Sequence, residues 1–489
     1  MPENDGTDFA AAREALDRRA RNHKAQKAAV DCVQIACQQP LNQGLDLERQ
    51  VFLKLMEGPE SRALRHLFFA ERQAPKFDAE VPADKPVIAS VAVLGAGTMG
   101  GGIAMALANA GIPVTLIERE QAALDRGLAL VRRNYGVTVE KGKLSQSQMD
   151  VRMGCIRSSL RFEDVAEADL VIEAVFEDMA LKKEVFARLD AVCKPGAILA
   201  TNTSRLNVDQ IAAATRRPED VIGLHFFSPA NVMRLLEVVR GGCTSDIVIA
   251  RCMVMAQAIG KIPVLVRGCE GFVGNRMLTG YWREAWFMLE EGALPEQIDA
   301  AMKRFGMAMG PLTMADLAGL DINWATRQRL LADWPKGLRY PQVADRICEA
   351  GRLGQKTGAG YYRYEAGSRT PLPDPATQSL IEAASREAGL VRRRFDDEEI
   401  VERCVLALIN EGARILDEGI AQRASDIDVV YVHGYGFPAW RGGPMYYAQT
   451  LGLETVLRRL CKLQDLHGAH WAPAPLLQRR VAEGQVTFV

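Results

Sequence analysis

From Ser90 onward the chain alternates short apolar runs with stretches whose apolar residues recur at helical spacing, the pattern of a parallel α/β sheet. The runs predict strands over Val91 to Leu94, Val114 to Ile117, Leu170 to Glu173, Ile198 to Thr201, Val221 to His225 and Leu235 to Val239. Ala104 to Ala110, Gln121 to Gly136 and Lys182 to Val192 read as helices between them. After about Gly268 the strands cease, and Phe272 to Glu291 and Pro295 to Arg304 open a helical part. Before the sheet, residues 8 to 75 are rich in Ala, Arg, Glu, Gln and Leu, with apolar positions such as Val51, Leu53, Leu55 and Met56, which predicts two or three helices. Residues 76 to 88, with Pro82 and Pro86, read as a linker into the sheet.

The helical part carries an internal repeat. Arg283-Glu284-Ala285, Leu289-Glu290-Glu291-Gly292, Ile298-Asp299, Gly310-Pro311 and Gly319-Leu320 return in order as Asn410-Glu411-Gly412, Leu416-Asp417-Glu418-Gly419, Ile427-Asp428, Gly443-Pro444 and Gly452-Leu453. The offset drifts only from 127 to 133 residues, as small loop insertions would make it, so duplication is favoured over chance likeness of two Ala- and Leu-rich stretches. Two such copies can pack face to face. Between them Gly351 to Tyr362 is glycine-rich and reads as a connector. The predicted organisation is a helical segment with linker over 1–80, an α/β domain over 81–268, and two helical domains over 269–365 and 366–489.

Composition narrows the class without naming it. With 489 residues, 48% of them apolar and 25% charged, the chain can bury several cores. Sixty basic residues against sixty-one acidic ones argue against a nucleic-acid binder, while a small phosphorylated ligand stays allowed. Ten cysteines without a C-x-x-C pair spell no metal site and read as reduced thiols. The N-terminus, Met1-Pro2-Glu3-Asn4-Asp5, has no apolar signal core, no run is long enough to span a membrane, and Thr487-Phe488-Val489 is not a peroxisomal tripeptide. A cytoplasmic enzyme is the simplest expectation.

Gly95-Ala96-Gly97-Thr98-Met99-Gly100 follows the first strand and opens a helix. In such a motif the first glycine permits a tight turn, the second lets backbone approach a pyrophosphate, and the third lets helix and strand pack closely. The motif alone is weak evidence. Glu118, at the end of the next strand and eighteen residues past Gly100, supplies the context of a dinucleotide site. Its carboxylate would accept hydrogen bonds from the adenosine ribose and repel a 2′-phosphate, which favours NAD over NADP; Arg119 beside it pulls the other way. An acidic residue there can also be a solvated turn carboxylate. No second flavin-type signature follows.

His225 ends a predicted strand, where ligands meet such a sheet. Packed by Phe226 and Phe227 it could be a plain core imidazole, but Glu237 lies on the next run and could return beside it. A buried carboxylate would fix the imidazole tautomer and favour its protonated form. Removing hydride from a carbinol carbon requires a base for the hydroxyl proton, and polar groups to hold the oxygen. Ser204 and Asn275 are placed for the second task. Each could instead cap a helix, Ser204 the one near Val208 and Asn275 the first of the helical part.

Together the glycine motif, Asn202-Thr203-Ser204, His225-Phe226-Phe227-Ser228-Pro229, Glu237 and Gly271-Phe272-Val273-Gly274-Asn275-Arg276 resemble the L-3-hydroxyacyl-CoA dehydrogenase family, in its order, from about residue 90 to 320. The second helical copy resembles the dehydrogenase part of multifunctional fatty-acid β-oxidation enzymes. Residues 40 to 75 are similar to the helical end of the hydratase module that precedes it there, and with no room before them for the crotonase core, no hydratase or isomerase activity is expected.

The resemblance implies a Rossmann-type NAD-binding domain followed by two all-α domains. It implies NAD-dependent oxidation of L-3-hydroxyacyl-CoA to 3-ketoacyl-CoA, with His225 as base, Glu237 as its partner, and Ser204 and Asn275 on the substrate oxygen. Glu118, Glu177, Lys182 and Ser204 match NAD-contacting positions, and Asn134 and Lys141 fall where relatives touch coenzyme A. The second copy has Glu402-Arg403 where the first has Asn275-Arg276, so it is expected to be structural. Two other readings stay open: a dehydrogenase of a small 3-hydroxy acid without coenzyme A, and a non-catalytic NAD-binding or structural protein. No nucleic acid, membrane or metal partner is expected, and the chain would be a monomer or homodimer.

Overall fold

The computed structural model describes residues 8–19, 24–79, 87–331, 334 and 337–488. Residues 80–86 of the predicted linker lie outside the described residues, as do Met1-Pro2-Glu3-Asn4-Asp5 and Val489. The chain divides into two compact units. One comprises the chain up to Phe69, Leu278–Ala413 and Gly436–Phe488; the other comprises Ala70–Met277 and Arg414–Tyr435.

The second unit is built on one sheet, of eight strands among the described residues: β1 Val91–Leu94, β2 Val114–Ile117, β3 Ile156–Ser159, β4 Leu170–Glu173, β5 Ile198–Thr201, β6 Val221–Phe226, β7 Leu235–Arg240 and β8 Ile262–Arg267. Their order is β3-β2-β1-β4-β5-β6-β7-β8. The chain thus winds outward in both directions from β1 and β4, and the crevice at that reversal is where such sheets take ligands. Central strands covered by helices on both faces favour apolar runs, and every residue of β1, β4 and β5 is buried, including Glu173 and Thr201 at the ends of β4 and β5. Each fully buried Leu, Ile or Val contributes about 1.5–3 kcal/mol.

The parallel expectation fails at one place: β6 and β7 run antiparallel, with His225 opposite Glu237. The reason is length. Residues 227–234 are too few for a parallel crossover, which needs a dozen or more residues. β3 and β8 are also additions to the predicted set.

The region predicted as two or three helices forms four among its described residues, Phe9–Arg19, Lys24–Gln38, Leu41–Met56 and Pro59–Gln73. In the first unit the last of these stacks His66 on Tyr446, with ring centroids 4.4 Å apart. The repeat is visible in backbone form. The helices Pro311–Ala318 and Pro444–Leu451 each start on Gly-Pro, run eight residues, and stop at a glycine of positive φ, Gly319 (90°) and Gly452 (86°). The glycine-rich stretch between the copies is packed, not a slack connector. A side chain at Gly360 would fall 1.9 Å from Asp316 Oδ1, and that carboxylate accepts the Tyr361 and Tyr362 N–H groups.

Two ion pairs repeat with their partners exchanged. In the second unit Arg276 of the first copy forks onto Glu418 of the second at 2.5 and 2.7 Å. In the first unit Arg403 of the second copy meets Glu291 of the first at 2.6 Å. The arginines lie 127 residues apart, and so do the glutamates. Such reciprocity, residue i on j and j on i, belongs to an isologous interface.

Candidate active site

The glycine motif adopts the geometry its spacing requires. Gly95 takes φ of 100°, and a side chain there would strike Ala174 O at 2.7 Å. At Gly100 a side chain would fall 1.8 Å from Gly95 O, so only glycine lets the helix Thr98–Asn109 begin this close to β1. Gly97, Thr98 and Met99 form the opening between them. A side chain at Gly97 would meet nothing within 4 Å, and no side chain caps that helix. Oriented amides and the helix dipole there suit an anion such as pyrophosphate. Glu118 closes the cradle from β2, its Oε2 accepting the Ala96 N–H at 3.0 Å and Oε1 the Arg119 N–H at 2.7 Å. These residues fit a dinucleotide.

Glu177 and Lys182 follow β4. Lys182 is 1% exposed, its ammonium held by Glu173 at 2.7 and 2.9 Å and by Glu177 at 3.3 Å. Glu177 gathers the Asn-Thr-Ser turn: one carboxylate oxygen accepts from Thr203 Oγ1 at 2.7 Å, Ser204 N at 2.8 Å and Ser204 Oγ at 3.2 Å. Burial acts to raise the Glu177 pKa, but the Lys182 charge and these bonds outweigh it and hold the carboxyl below its ordinary range. Ser204 is not a helix cap. Asn207 caps Val208–Ala212, accepting from Asp209 and Gln210 N–H.

His225 is 6% exposed and Glu237 is fully buried. Their register partnership brings His225 Nδ1 within 2.7 Å of Glu237 Oε2. The other Glu237 oxygen accepts the Gly274 N–H at 3.0 Å, so the carboxylate is satisfied on both sides. Phe227 and Phe272 pack on the imidazole at 4.4 and 5.7 Å between centroids. Phe272 has φ of 50°, the one non-glycine positive φ among the described residues, and it turns the chain into the helix Gly274–Glu291.

Asn275, in the first turn of that helix, donates from Nδ2 to Ser204 O at 3.3 Å and accepts from Tyr435 Oη at 2.9 Å. It therefore bridges rather than caps. Asn202, which sequence reasoning passed over, accepts the Phe226 N–H at 2.9 Å and ties the Asn-Thr-Ser turn to β6. Glu173, Thr203, Gly274 and Tyr435 were missed as well. A buried Glu173 ending a strand nine residues before a lysine was a readable signal; a backbone N–H and a tyrosine in the second copy were not. Asn134 lies in the helix Gln121–Glu140 and Lys141 at its exposed C-cap, and neither joins this hydrogen-bonded network.

An NAD-type cradle at the C-terminal ends of parallel strands, with a buried imidazole–carboxylate pair beside it, defines a dinucleotide-dependent dehydrogenase. Residues 90–269 match the 3-hydroxyacyl-CoA dehydrogenase NAD-binding domain, and 271–364 and 400–487 match the C-terminal domain of the same family. The peroxisomal bifunctional enzyme of Danio rerio is 43% identical over 97% of this chain and 68% of its own length. Among solved structures, 3-hydroxybutyryl-CoA dehydrogenase from Escherichia coli K12 superposes with a TM-score of 0.71 at 30% identity, covering 81% of this chain and 99% of its own. The dehydrogenase part of multifunctional enzyme 1 from C. elegans gives a TM-score of 0.62 at 30% identity over 85% of this chain and 96% of its own. The chain belongs to the 3-hydroxyacyl-CoA dehydrogenase family.

Proposed function

We propose that this chain oxidises L-3-hydroxyacyl-CoA to 3-ketoacyl-CoA in fatty-acid β-oxidation, with NAD as hydride acceptor. The observation that carries the reading is the His225–Glu237 pair at the end of β6, joined through Gly274-Asn275 to Ser204. With Nδ1 engaged by Glu237, the other ring nitrogen, Nε2, is the base. It would take the hydroxyl proton, with NAD when bound supplying the acceptor for the C3 hydride, and Glu237 would stabilise the imidazolium that results. Ser204 and Asn275 hold the oxygen as it becomes a carbonyl. Gly95, Gly97, Thr98, Met99 and Gly100 would hold the pyrophosphate and Glu118 the ribose, while Lys182 acts by fixing Glu177. Asn134 and Lys141 are retained as coenzyme A contacts on the family's pattern alone. The cytoplasm is retained as compartment on the sequence alone, whereas the Danio rerio relative is named peroxisomal.

The test is acetoacetyl-CoA-dependent oxidation of NADH by the purified chain, run beside free acetoacetate. Turnover with the thioester and not the free acid is expected. Turnover restricted to the free acid would assign a small hydroxy-acid dehydrogenase, and none with either, while NADH binds, would assign a non-catalytic protein.

A further inference from the structure

We propose that Tyr435, contributed by the second helical copy, is a positioning residue that fixes which end of the Asn275 amide faces Ser204 and the substrate oxygen. The inference rests on the dehydrogenase reading above. Ser204 O is a backbone carbonyl and can only accept, so the amide group 3.3 Å from it is the NH₂. The opposite end of the amide is then Oδ1, which needs a donor, and the Tyr435 hydroxyl stands 2.9 Å away. The two contacts define one orientation, and a flip would oppose oxygen to oxygen at Ser204.

Tyr435 is itself held. Its ring stacks on Tyr431 at 4.9 Å and 21°, and meets Phe227 edge-on at 5.6 Å, the same Phe227 that packs on His225. The Tyr431 hydroxyl donates to Gly274 O at 3.2 Å. A side chain at Gly274 would fall 2.4 Å from the Tyr435 ring, so glycine is what admits the phenol to this position. The residue is half-buried, yet burial of the phenol, reinforced by the Glu237 charge, pushes its pKa well above the ordinary value. The hydroxyl thus remains a donor throughout the working pH range.

The chemical consequence follows from charge. An oxygen passing between hydroxyl and carbonyl gains negative character, which an N–H stabilises and an amide oxygen repels. Holding the N–H end in place favours the transition state over the bound ground state, so its loss falls on kcat more than on KM.

A double-mutant cycle on the full chain tests this, with Tyr435→Phe, Asn275→Ala and the pair assayed for acetoacetyl-CoA reduction by NADH. Tyr435→Phe is expected to lower kcat about tenfold, with KM and NADH affinity within about twofold of wild type. In the Asn275→Ala background it should add less than about a twofold loss. Wild-type kcat in Tyr435→Phe, or losses that multiply in the double variant, overturn the proposal. Asn275→Asp keeps the Tyr435 bond but puts oxygen where the N–H was; it should lose at least as much kcat as Asn275→Ala, and near-normal turnover would also overturn the proposal. Selective ¹⁵N-asparagine labelling reads the contact without turnover: the amide signal assigned through Asn275→Ala must move in Tyr435→Phe, and an unmoved signal rejects the contact. An inactive wild type with that shift intact would instead remove the dehydrogenase reading.

Discussion

His225 and Glu237 are register partners across antiparallel β6 and β7, twelve residues apart in sequence and 2.7 Å apart at Nδ1 and Oε2. Backbone pairing therefore sets the contact, since a slip of one residue would turn Glu237 to the other face of the sheet. Glu237→Gln keeps the volume but removes the charge that stabilises an imidazolium, and its NH₂ would favour the wrong tautomer. Its kcat for acetoacetyl-CoA reduction should fall about 10²–10⁴-fold, and that of His225→Gln at least as far. NADH affinity, followed by fluorescence titration, should stay near normal in both. Turnover within threefold of wild type in either variant would show that the pair is not the base.

Glu118 reaches the glycine turn, accepting the Ala96 N–H at 3.0 Å, so its carboxylate sits where a ribose would meet that turn. Glu118→Gln should weaken NADH about tenfold through lost charge-assisted hydrogen bonds. NADPH should weaken less or bind better, because the repulsion of a 2′-phosphate is gone. The discriminating measurement is the ratio of the two dissociation constants. A ratio unchanged from wild type would mean that Glu118 only holds the turn.

The legible parts of this fold are those where one physical demand dominates. β1, β2, β4 and β5 were readable to the residue because buried parallel strands favour apolar runs between turn residues. β3 was missed because only Ile156 is buried in Ile-Arg-Ser-Ser, leaving no apolar run to read. β8 was missed because Pro263 resembles a breaker; the strand lies at the sheet edge, where proline is tolerated. In the site, His225, Glu237, Ser204 and Asn275 were legible as residue types in a family order. The bonds that orient them were not. Gly274 N–H to Glu237 and Tyr435 to Asn275 join residues 37 and 160 positions apart, and a motif encodes neither.

Lys182 and Glu173 form a buried pair beneath the cofactor side of the sheet, with Thr201 Oγ1 donating to the second Glu173 oxygen at 2.7 Å. Removing one partner of such a pair leaves an uncompensated charge away from water. Lys182→Met should therefore destabilise by about 3–5 kcal/mol. Lys182→Met/Glu173→Leu should recover much of that loss, because neither charge then remains. NADH affinity should fall in both, since Glu177 loses its cation. Urea unfolding midpoints and NADH titration separate the two effects, and a double variant no more stable than Lys182→Met would refute the charge argument.

Arg403 and Glu284 are fully buried in the first unit, 3.0 Å apart, with Arg403 also on Glu291. Burial acts to raise the Glu284 pKa, but contact with His470 and the Arg403 charge prevail and lower it from 4.5 to about 2. A folded pKa below the unfolded one means the stabilisation is complete above about pH 4.5 and is lost as pH falls toward 2. Wild type should thus lose stability between pH 5 and pH 3, by about 2 kcal/mol from this group, with the rest of a total on the order of 3 kcal/mol lost below pH 3. Glu284→Gln should be the less stable chain at pH 7, leaving Arg403 with one carboxylate fewer, and the gap to wild type should close as pH falls. Denaturant midpoints at pH 7, 5, 4 and 3 for both chains measure that gap. A gap constant across the series would mean that Glu284 keeps its ordinary carboxyl pKa and that shape, not charge, holds this core.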